Sequence, residues 1–367
     1  MSIKLRPSKA NQWMACPGSA KMQEPFIIKQ ESTDAAEEGT AAHWVASEML
    51  KGNPLSTVAP NGIIIDSDMI SYAEEYCEEL KDWNNLNVER KLVIPIIDNE
   101  GTLDVNNTDY NTHIIKIRDY KYGFTPVEVE KNWQLICYVD GIINILDKNG
   151  KPCDIDEWIF ELSIHQPRAY HPEGKLRTIT YTYSELKPLF DELEAGAKLA
   201  MSSNPPLKTG SQCTYCAARH VCTTLQQSGY IAVELSQQAS PLELNLDQAG
   251  RELLQIELAI DILKARKTGL ESQIEFDILM KGGVSPHYTV ERVKSREKWQ
   301  EGKEHLVIAL GEMLGVNLAA PVKALTPVQC RKLKVDNDII KQYSVIPIGE
   351  NKLVKRNTNL SKKLFGK

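Results

Sequence analysis

Two charged side chains near the middle of the chain have the types and the spacing of a site that binds a hard cation. Asp119 and Lys121 are two residues apart in an alternating run over residues 113–121. In an extended chain, residues i and i+2 point to the same face, so both side chains can face one site. A carboxylate holds Mg²⁺ or Mn²⁺ through oxygen, and a lysine steadies an attacking water or the charge that develops on phosphate.

A second carboxylate, Asp104, ends the Gly-Thr-Leu-Asp segment at residues 101–104. The polar residues 106–109 follow it and predict a turn that joins two short strands. Such a hairpin would bring Asp104 beside Asp119 and Lys121. The alternative is a hairpin whose charged side chains are simply solvated.

Gln134 and Tyr138 follow the lysine and are four residues apart. The helix that carries them is predicted to begin either at residues 125–128, which resemble a capping box, or nearer Asn132. In both cases the two side chains share one helical face. An amide and a phenol there can reach phosphate or position the lysine; alternatively, they are boundary polar residues of a core helix.

A cysteine motif closes the region that carries chemistry. Cys213, Cys216 and Cys222 have the spacing C-x2-C-x5-C, which is typical of metal binding. His220 is the further donor near these three thiols. The N-terminus lacks the apolar core of a signal peptide, so we expect a cytoplasmic protein with reduced cysteines.

Three of these patterns occur in a fixed order within residues 101–138: GxxD at 101–104, DxK at 119–121 and QxxxY at 134–138. Together they resemble the PD-(D/E)XK nucleases and, within them, the RecB-type exonucleases. With GTAAH, QPR and the cysteine motif added, the chain is similar to a phage-encoded group of RecB-type nucleases of similar length. The resemblance covers residues 8–225.

The resemblance implies a metal site and its ligands. The family places a metal-binding histidine on an early helix after a glycine, and Gly-Thr-Ala-Ala-His at residues 39–43 matches that pattern. The implied ligands of Mg²⁺ or Mn²⁺ are His43, Asp104, Asp119 and the backbone carbonyl of Tyr120. Imidazole favours Mn²⁺ over Mg²⁺. The implied catalytic set is Asp104, Asp119 and Lys121, in which the lysine activates or orients water.

Gln134 and Tyr138 are implied to position the substrate. Arg168, which follows Gln-Pro at residues 166–167, is a further candidate because a guanidinium can contact phosphate by a forked hydrogen bond. The alternative is an exposed loop arginine.

The same resemblance implies an iron-sulfur site. In a subset of RecB-type nucleases, a distant N-terminal cysteine completes the three-cysteine motif around a [4Fe-4S] cluster. Cys16, preceded by Trp13 and followed by Pro17, fits that role. The implied ligands are Cys16, Cys213, Cys216 and Cys222. The alternative is zinc, held by all four cysteines or by three of them and His220.

The elements that must position these residues predict an α/β fold. A helix is expected from Thr40 and another over residues 70–83. Strands are expected over 89–97, 158–166 and 176–183, and a helix capped by Ser184 after them. We predict a restriction-endonuclease-like core at residues 1–225, with a mixed central sheet flanked by helices. A mostly helical C-terminal region, residues 226–367, carries a long helix over 246–280.

Composition limits the protein class. The chain has 367 residues with 42% hydrophobic and 25% charged residues, as in an ordinary globule, and no apolar run approaches the ~20 residues that span a bilayer. The net charge is −6, but residues 331–367 hold ten Lys or Arg against three Asp or Glu. A DNA enzyme can be acidic overall if one surface is basic. A solvated end is the alternative for this tail.

We therefore predict metal-dependent cleavage of DNA phosphodiesters, by an exonuclease on linear ends that acts in phage or bacterial recombination. Two rivals are a catalytically silent DNA-binding module and a metal-stapled adaptor that recruits a helicase or recombinase. The sequence contains no Walker motif, so a helicase would be a separate chain. A single-strand-binding or annealing protein is another expected partner, and no membrane is.

Overall fold

The computed structural model describes residues 4–27, 34–148, 154–237, 245–294, 298–300, 302–318, 327–332, 335–345 and 348–355. Contacts between residues divide the chain into two compact units, Met1–Arg266 and Lys267–Lys367. The sequence predicted a boundary after residue 225, and the division between the two units lies further along the chain, after Arg266. No helix among the described residues is long and apolar enough to cross a membrane.

A five-stranded sheet forms the centre of the first unit. Its strands are β1 (Asn87–Ile94), β2 (Asn99–Asp109), β3 (Ile114–Tyr120), β4 (Ile159–His165) and β5 (Leu176–Thr182), and they lie side by side in that order. Neighbouring strands are antiparallel except β3 and β4, which are parallel. With helices on both faces, this mixed sheet confirms the predicted α/β core.

The predicted turn at residues 106–109 is wrong, because β2 continues through these residues and the chain turns at 110–113. Asn106 and Asn107 are buried and pair with Ile117 and Lys116 across the ladder. Asp109 Oδ1 instead accepts a hydrogen bond from the Asn111 N–H at 2.8 Å and closes the turn. The polar residues that suggested a turn are thus strand residues.

Eight helices are described in or across the first unit: α1 (Ala10–Ala15), α2 (Ser19–Ile27), α3 (Asp34–Lys51), α4 (Ser67–Glu78), α5 (Trp133–Lys148), α6 (Tyr183–Ala200), α7 (Thr223–Ser236) and α8 (Leu246–Lys281). The helix α5 begins after Asn132, whose Oδ1 accepts from the Gln134 N–H at 3.1 Å. This selects the second predicted start. The cap of α6 is Thr182, in a capping box with Glu185, rather than the predicted Ser184.

Two hydrophobic cores cover the two faces of the sheet. The larger one joins α5 and α6 to the sheet through residues such as Ile94, Ile117 and Ile136. The second joins α3 and α4 to Val105 and Tyr120. The active-site candidates lie at the end of β3, where the two cores meet the sheet.

The second unit is smaller and is described in part. Its elements are β6 (Tyr288–Lys294), β7 (Lys298–Trp299), α9 (Glu304–Met313), α10 (Pro327–Lys332), α11 (Asn337–Tyr343), β8 (Ser344–Val345) and β9 (Ile348–Lys355). The strands β6 and β9 pair antiparallel, as do β7 and β8. Of the basic tail, residues 356–367 lie outside the described residues.

Candidate functional site

The antiparallel pairing of β2 with β3 brings the two predicted carboxylates together. Val105 is opposite Arg118, and in this antiparallel register the next two residues, Asp104 and Asp119, are opposite each other. The Tyr120 N–H donates a hydrogen bond to Asp104 Oδ2 at 2.8 Å. Asp104 is therefore fixed against the end of β3, which also carries Asp119, as the sequence predicted.

Lys121 is bound to the predicted carboxylate and to the predicted amide. Its Nζ lies 2.8 Å from Asp119 Oδ2 and donates to Gln134 Oε1 at 3.0 Å. The amide nitrogen of Gln134 donates to Asp119 Oδ1 at 2.9 Å and to the Tyr138 hydroxyl at 3.2 Å. Tyr138 in turn donates to the Thr102 carbonyl at 2.8 Å. One face of α5 thus holds the Asp119–Lys121 pair in a fixed geometry.

Burial and mutual attraction shift the titration of this pair. Burial raises the pKa of Asp119, which is 2% exposed, and neighbouring Asp104 adds to that rise. Burial opposes the charge on Lys121, but Asp119 and Asp104 outweigh it and raise the pKa of the amine. Lys121 is therefore a cation at neutral pH, available to a developing negative charge.

The glycine of the GxxD pattern has a steric explanation. A Cβ at Gly101 would lie 2.8 Å from Pro7 Cγ, 3.1 Å from Tyr138 Cε1 and 3.2 Å from Ile94 Cδ1. The Tyr138 ring thus occupies the space of any larger side chain. Gly101 is needed for the close approach of α5 that brings Gln134 to the lysine.

His43 reaches the same place from α3. Its Nδ1 lies 3.4 Å from Asp104 Oδ1, and its ring meets the Tyr120 ring edge-on at 5.6 Å. Burial opposes the charge on the imidazole, but the Asp104 carboxylate outweighs it and raises the pKa of His43. The same contact lowers the pKa of Asp104 against the effect of burial. The structure therefore brings the early histidine to the carboxylates of the sheet.

Glu89 belongs to this site and was not among the predicted residues. It contributes one of three potential ligand atoms, with His43 and Asp104, that all lie within 4.8 Å of one another. No other such group of three or more His, Cys, Asp or Glu occurs among the described residues. The sequence placed Glu89 at the start of a strand, and a carboxylate in a strand carries no signal of its own. Only the register of β1 on β2 identifies it.

The contacts of Arg168 are with residues other than Asp104 and Asp119. Its guanidinium lies between the rings of Tyr122 and Phe124, at 4.3 and 4.0 Å from their centroids. Its Nη1 pairs with Glu38 Oε2 at 2.8 Å. Phe124 is 67% exposed, so this stacked group is at the surface.

The four predicted cysteines line one pocket. Cys16 follows α1, and Cys213, Cys216 and Cys222 lie between α6 and α7; all four face the pocket. The Lys208 N–H donates to Cys16 Sγ at 3.3 Å. Burial raises the pKa of Cys216 to about 11, and the other three thiols act in the same direction. The pocket therefore groups four thiols from two distant parts of the chain.

Direct hydrogen bonds hold the N-terminal segment to this pocket. Gln12 Nε2 donates to the Gln212 carbonyl at 3.2 Å, and the Ala217 N–H donates to Gln23 Oε1 at 3.0 Å. The Gly18 N–H donates to the Pro206 carbonyl at 2.9 Å. The approach of Cys16 to the motif is thus built into the fold.

His220, the alternative fourth ligand, contacts the backbone through one ring nitrogen. Its Nδ1 lies 3.1 Å from the Ala217 carbonyl, and its ring packs edge-on against Phe26 at 4.6 Å. Of the other cysteines, Cys137 and Cys330 are buried in separate hydrophobic cores. Cys153 lies outside the described residues.

Comparison with known proteins places the chain in a family. The crystal structure of a phage related exonuclease from Haemophilus somnus 129PT is similar at 14% sequence identity and a TM-score of 0.25, over 55% of this chain and 94% of that one. Residues 3–306 match the family described as "Protein of unknown function (DUF2800)". That match covers most of the sequence, and the chain therefore belongs to the DUF2800 family.

Proposed function

We propose that this protein is a metal-dependent deoxyribonuclease, an exonuclease that hydrolyses phosphodiester bonds at the ends of linear DNA in phage or bacterial recombination. The observation that carries the proposal is the contact of Lys121 with Asp119, 2.8 Å apart, beside Asp104 at the end of β3. Two carboxylates and a cationic amine at one point suit the chemistry of phosphate ester hydrolysis.

A divalent metal is part of this proposal. His43, Asp104, Asp119 and the backbone carbonyl of Tyr120 would hold Mg²⁺ or Mn²⁺. The 3.4 Å contact of the His43 imidazole with Asp104 supports a mixed nitrogen and oxygen donor set, which favours Mn²⁺. When bound, the metal polarises a phosphoryl oxygen and lowers the pKa of a coordinated water.

The protein's own groups orient and stabilise. Lys121 donates a hydrogen bond to the attacking water or to the phosphate oxygen on which negative charge develops. Asp119 fixes the position of the Lys121 ammonium group. Gln134 is hydrogen-bonded to both Lys121 and Asp119. Tyr138 accepts a hydrogen bond from Gln134 and donates one to the Thr102 carbonyl, which holds Gln134 in place. Gln134 and Tyr138 therefore act on the substrate through the position of the lysine.

Arg168 is proposed to position the substrate as well. A guanidinium flanked by Tyr122 and Phe124 has its planar faces covered, and its N–H groups point along its edge, where they can bind a phosphate. Its present ion pair with Glu38 would exchange for one with DNA. A helicase, a single-strand-binding protein or an annealing protein would act as a separate chain.

We also propose that Cys16, Cys213, Cys216 and Cys222 hold a [4Fe-4S] cluster. The fit rests on four thiols in one pocket and on the Lys208 N–H that donates to Cys16 Sγ, since N–H donors stabilise the sulfur charge of such clusters. The cluster would be structural and would tie the N-terminal segment to the end of the core. Zinc is the alternative, held by the same four thiols or by three of them and His220.

Digestion of linear DNA tests the proposal. The purified full chain should degrade linear duplex or single-stranded DNA with Mg²⁺ or Mn²⁺, stop when the metal is chelated, and leave closed circular DNA intact. Asp119→Asn should abolish this activity, whereas Asp191→Asn, at an exposed position on α6, should leave it unchanged. A wild-type protein that binds DNA with metal present and does not cleave it would instead be a silent binding module.

A further inference from the structure

The segment that follows Lys121 carries an aromatic side chain out to the surface. Tyr122 is buried in the core of α3 and α4, whereas Phe124, two residues later, is 67% exposed. A chain of three residues spans at most about 11 Å, so the Phe124 backbone lies within that distance of the Lys121 backbone. An apolar ring is thus presented to solvent beside the proposed catalytic lysine.

A buried amide fixes this segment. Gln166, which is 1% exposed, donates through Nε2 to the Gly123 carbonyl and to the Thr125 carbonyl, both at 2.8 Å. Its Oε1 accepts from the Val127 N–H at 3.0 Å. The two accepting carbonyls belong to the residues on either side of Phe124, so the backbone that carries the exposed ring is held in place. A ring fixed in advance loses less conformational freedom when a ligand binds to it.

A buried guanidinium holds this amide in turn. Arg177, also 1% exposed, donates through Nη2 to Gln166 Oε1 and to the Val127 carbonyl, both at 2.9 Å. A buried polar network of this kind makes the backbone around it rigid. The outward position of Phe124 is therefore built into the fold.

Two further groups flank the Phe124 ring. The Arg168 guanidinium lies 4.0 Å from the ring centroid, on one face of the ring. The hydroxyls of Thr125 and Tyr215 share a hydrogen bond at 3.1 Å, and Tyr215 is 63% exposed. Two exposed rings from distant parts of the chain thus meet at one surface, beside a cation. We call Phe124 and Tyr215 the aromatic platform.

The chemistry of the aromatic platform selects one class of ligand. Single exposed apolar residues are ordinary on protein surfaces, but these two lie together, beside a guanidinium and next to Lys121 in the chain. Nucleobases stack on aromatic side chains whatever their sequence, while a neighbouring guanidinium can bind the phosphate between them. Bases within a duplex are already stacked and paired, and taking one out costs free energy. The platform therefore fits the unpaired bases of a single strand.

We propose that Phe124 and Tyr215 stack the bases of single-stranded DNA, and that the DNA end reaches the carboxylate site as a single strand. This inference rests on the proposed nuclease function and states the form in which that site receives its substrate. Arg168 then binds the phosphate next to the base that stacks on Phe124. A blunt duplex end has to fray or be unwound before it can occupy the platform.

Binding of a fluorescein-labelled oligothymidine, without added divalent metal, tests the platform without cleavage. Phe124→Ala should weaken this binding about 5- to 150-fold, the range for loss of one base–aromatic stack, and Phe124→Trp should restore it. Tyr110→Ala is the matched control, because Tyr110 is a 40% exposed ring in the turn at the opposite end of β3, and its affinity should equal that of wild type. Unchanged affinity in Phe124→Ala would overturn the platform.

Abasic residues in the DNA separate stacking from a general loss of folding. One base of the single strand at a time is replaced by an abasic residue, and binding is measured for wild type and for Phe124→Ala. Wild type should lose affinity at one or two fixed distances from the end, and Phe124→Ala should be insensitive to the replacement at one of these positions. Equal sensitivity of the two proteins at every position would overturn the stacking.

Cleavage of linear DNA by the full chain, measured in parallel, separates this inference from the proposed function. Full cleavage by a protein whose affinity for single strands is the same with and without the Phe124 ring would overturn the platform and leave the nuclease standing. A position-dependent abasic effect that requires Phe124, in a protein that cleaves no DNA, would keep the platform and refute the nuclease.

Discussion

Replacement of Cys16 by serine should both remove the proposed cluster and destabilise the first unit. Cys16 and Cys222 are separated by about 200 residues, and a cross-link over a loop of this length is worth about 5 kcal/mol by the chain-entropy estimate for disulfides. Metal sites couple their binding free energy to folding in the same way. We take about 5 kcal/mol as the upper limit for Cys16→Ser.

Hydrogen bonds that do not involve the cluster should make the loss of stability in Cys16→Ser smaller than this limit. The segment that carries Cys16 is bonded to residues 206–217 through Gln12, Gly18 and Gln23, and each such hydrogen bond contributes about 1 kcal/mol. The variant should therefore fold, with a free energy of unfolding lower by about 2 to 5 kcal/mol. Anaerobically purified wild type should be brown and contain iron and acid-labile sulfide in similar amounts, and Cys16→Ser should be nearly colourless.

Cys77→Ser is the matched control for this experiment. Cys77 is partly buried, and its thiol contacts the Ala46 carbonyl at 3.8 Å, a contact that a serine hydroxyl can also make. Denaturant unfolding and iron content should match wild type. The four-cysteine site would be refuted if Cys16→Ser kept the colour, the iron and the unfolding midpoint of wild type. Zinc in place of iron would keep the site and change its metal.

Three further predictions follow from the geometry of the core. His43→Ala should narrow the preference for Mn²⁺ over Mg²⁺ in cleavage assays, since an imidazole favours manganese; an unchanged preference would make His43 structural. Gly101→Ala should displace the Tyr138 ring, cost about 1 to 3 kcal/mol of stability and lower the cleavage rate at least tenfold, and a wild-type rate would contradict this. Burial lowers the pKa of His165 beside Glu79, so the unfolded chain takes up the proton first and stability should fall as pH drops below about 6.5. The melting temperature of His165→Gln should depend less on pH over this range than that of wild type. An equal dependence on pH in the two proteins would exclude this effect of His165.

The residues of the central site could be predicted because their chemistry is carried by spacing. Asp119 and Lys121 are two apart on a strand end, and Gln134 and Tyr138 are one helical turn apart, so both pairs come together by local geometry alone. That the two pairs contact each other could be predicted only from the resemblance to a known family. The same is true of Cys16, which no local pattern links to residues 213–222.

Residues that act through tertiary contacts were missed or misread. Glu89 owes its place to a left-handed backbone and to the register of β1 on β2, and neither is visible in the sequence. Asn106 and Asn107 have the composition of a turn, but burial within the sheet overrides local preference. Ser184 and Thr182 both suit a helix cap, and the capping box with Glu185 decides for Thr182.

The central claim is that Lys121 takes part in phosphodiester hydrolysis, and one matched pair of variants tests it most directly. Lys121→Met and Lys116→Met each remove one ammonium group from the same stretch of chain, but Lys116 pairs with Glu161 at 3.8 Å, away from the carboxylate site. The measurement is the single-turnover rate of linear DNA cleavage at saturating Mn²⁺, with DNA binding measured alongside. We predict that Lys121→Met loses about 10²-fold or more in rate while it still binds DNA, and that Lys116→Met keeps the wild-type rate. Cleavage by Lys121→Met at the wild-type rate would contradict the account.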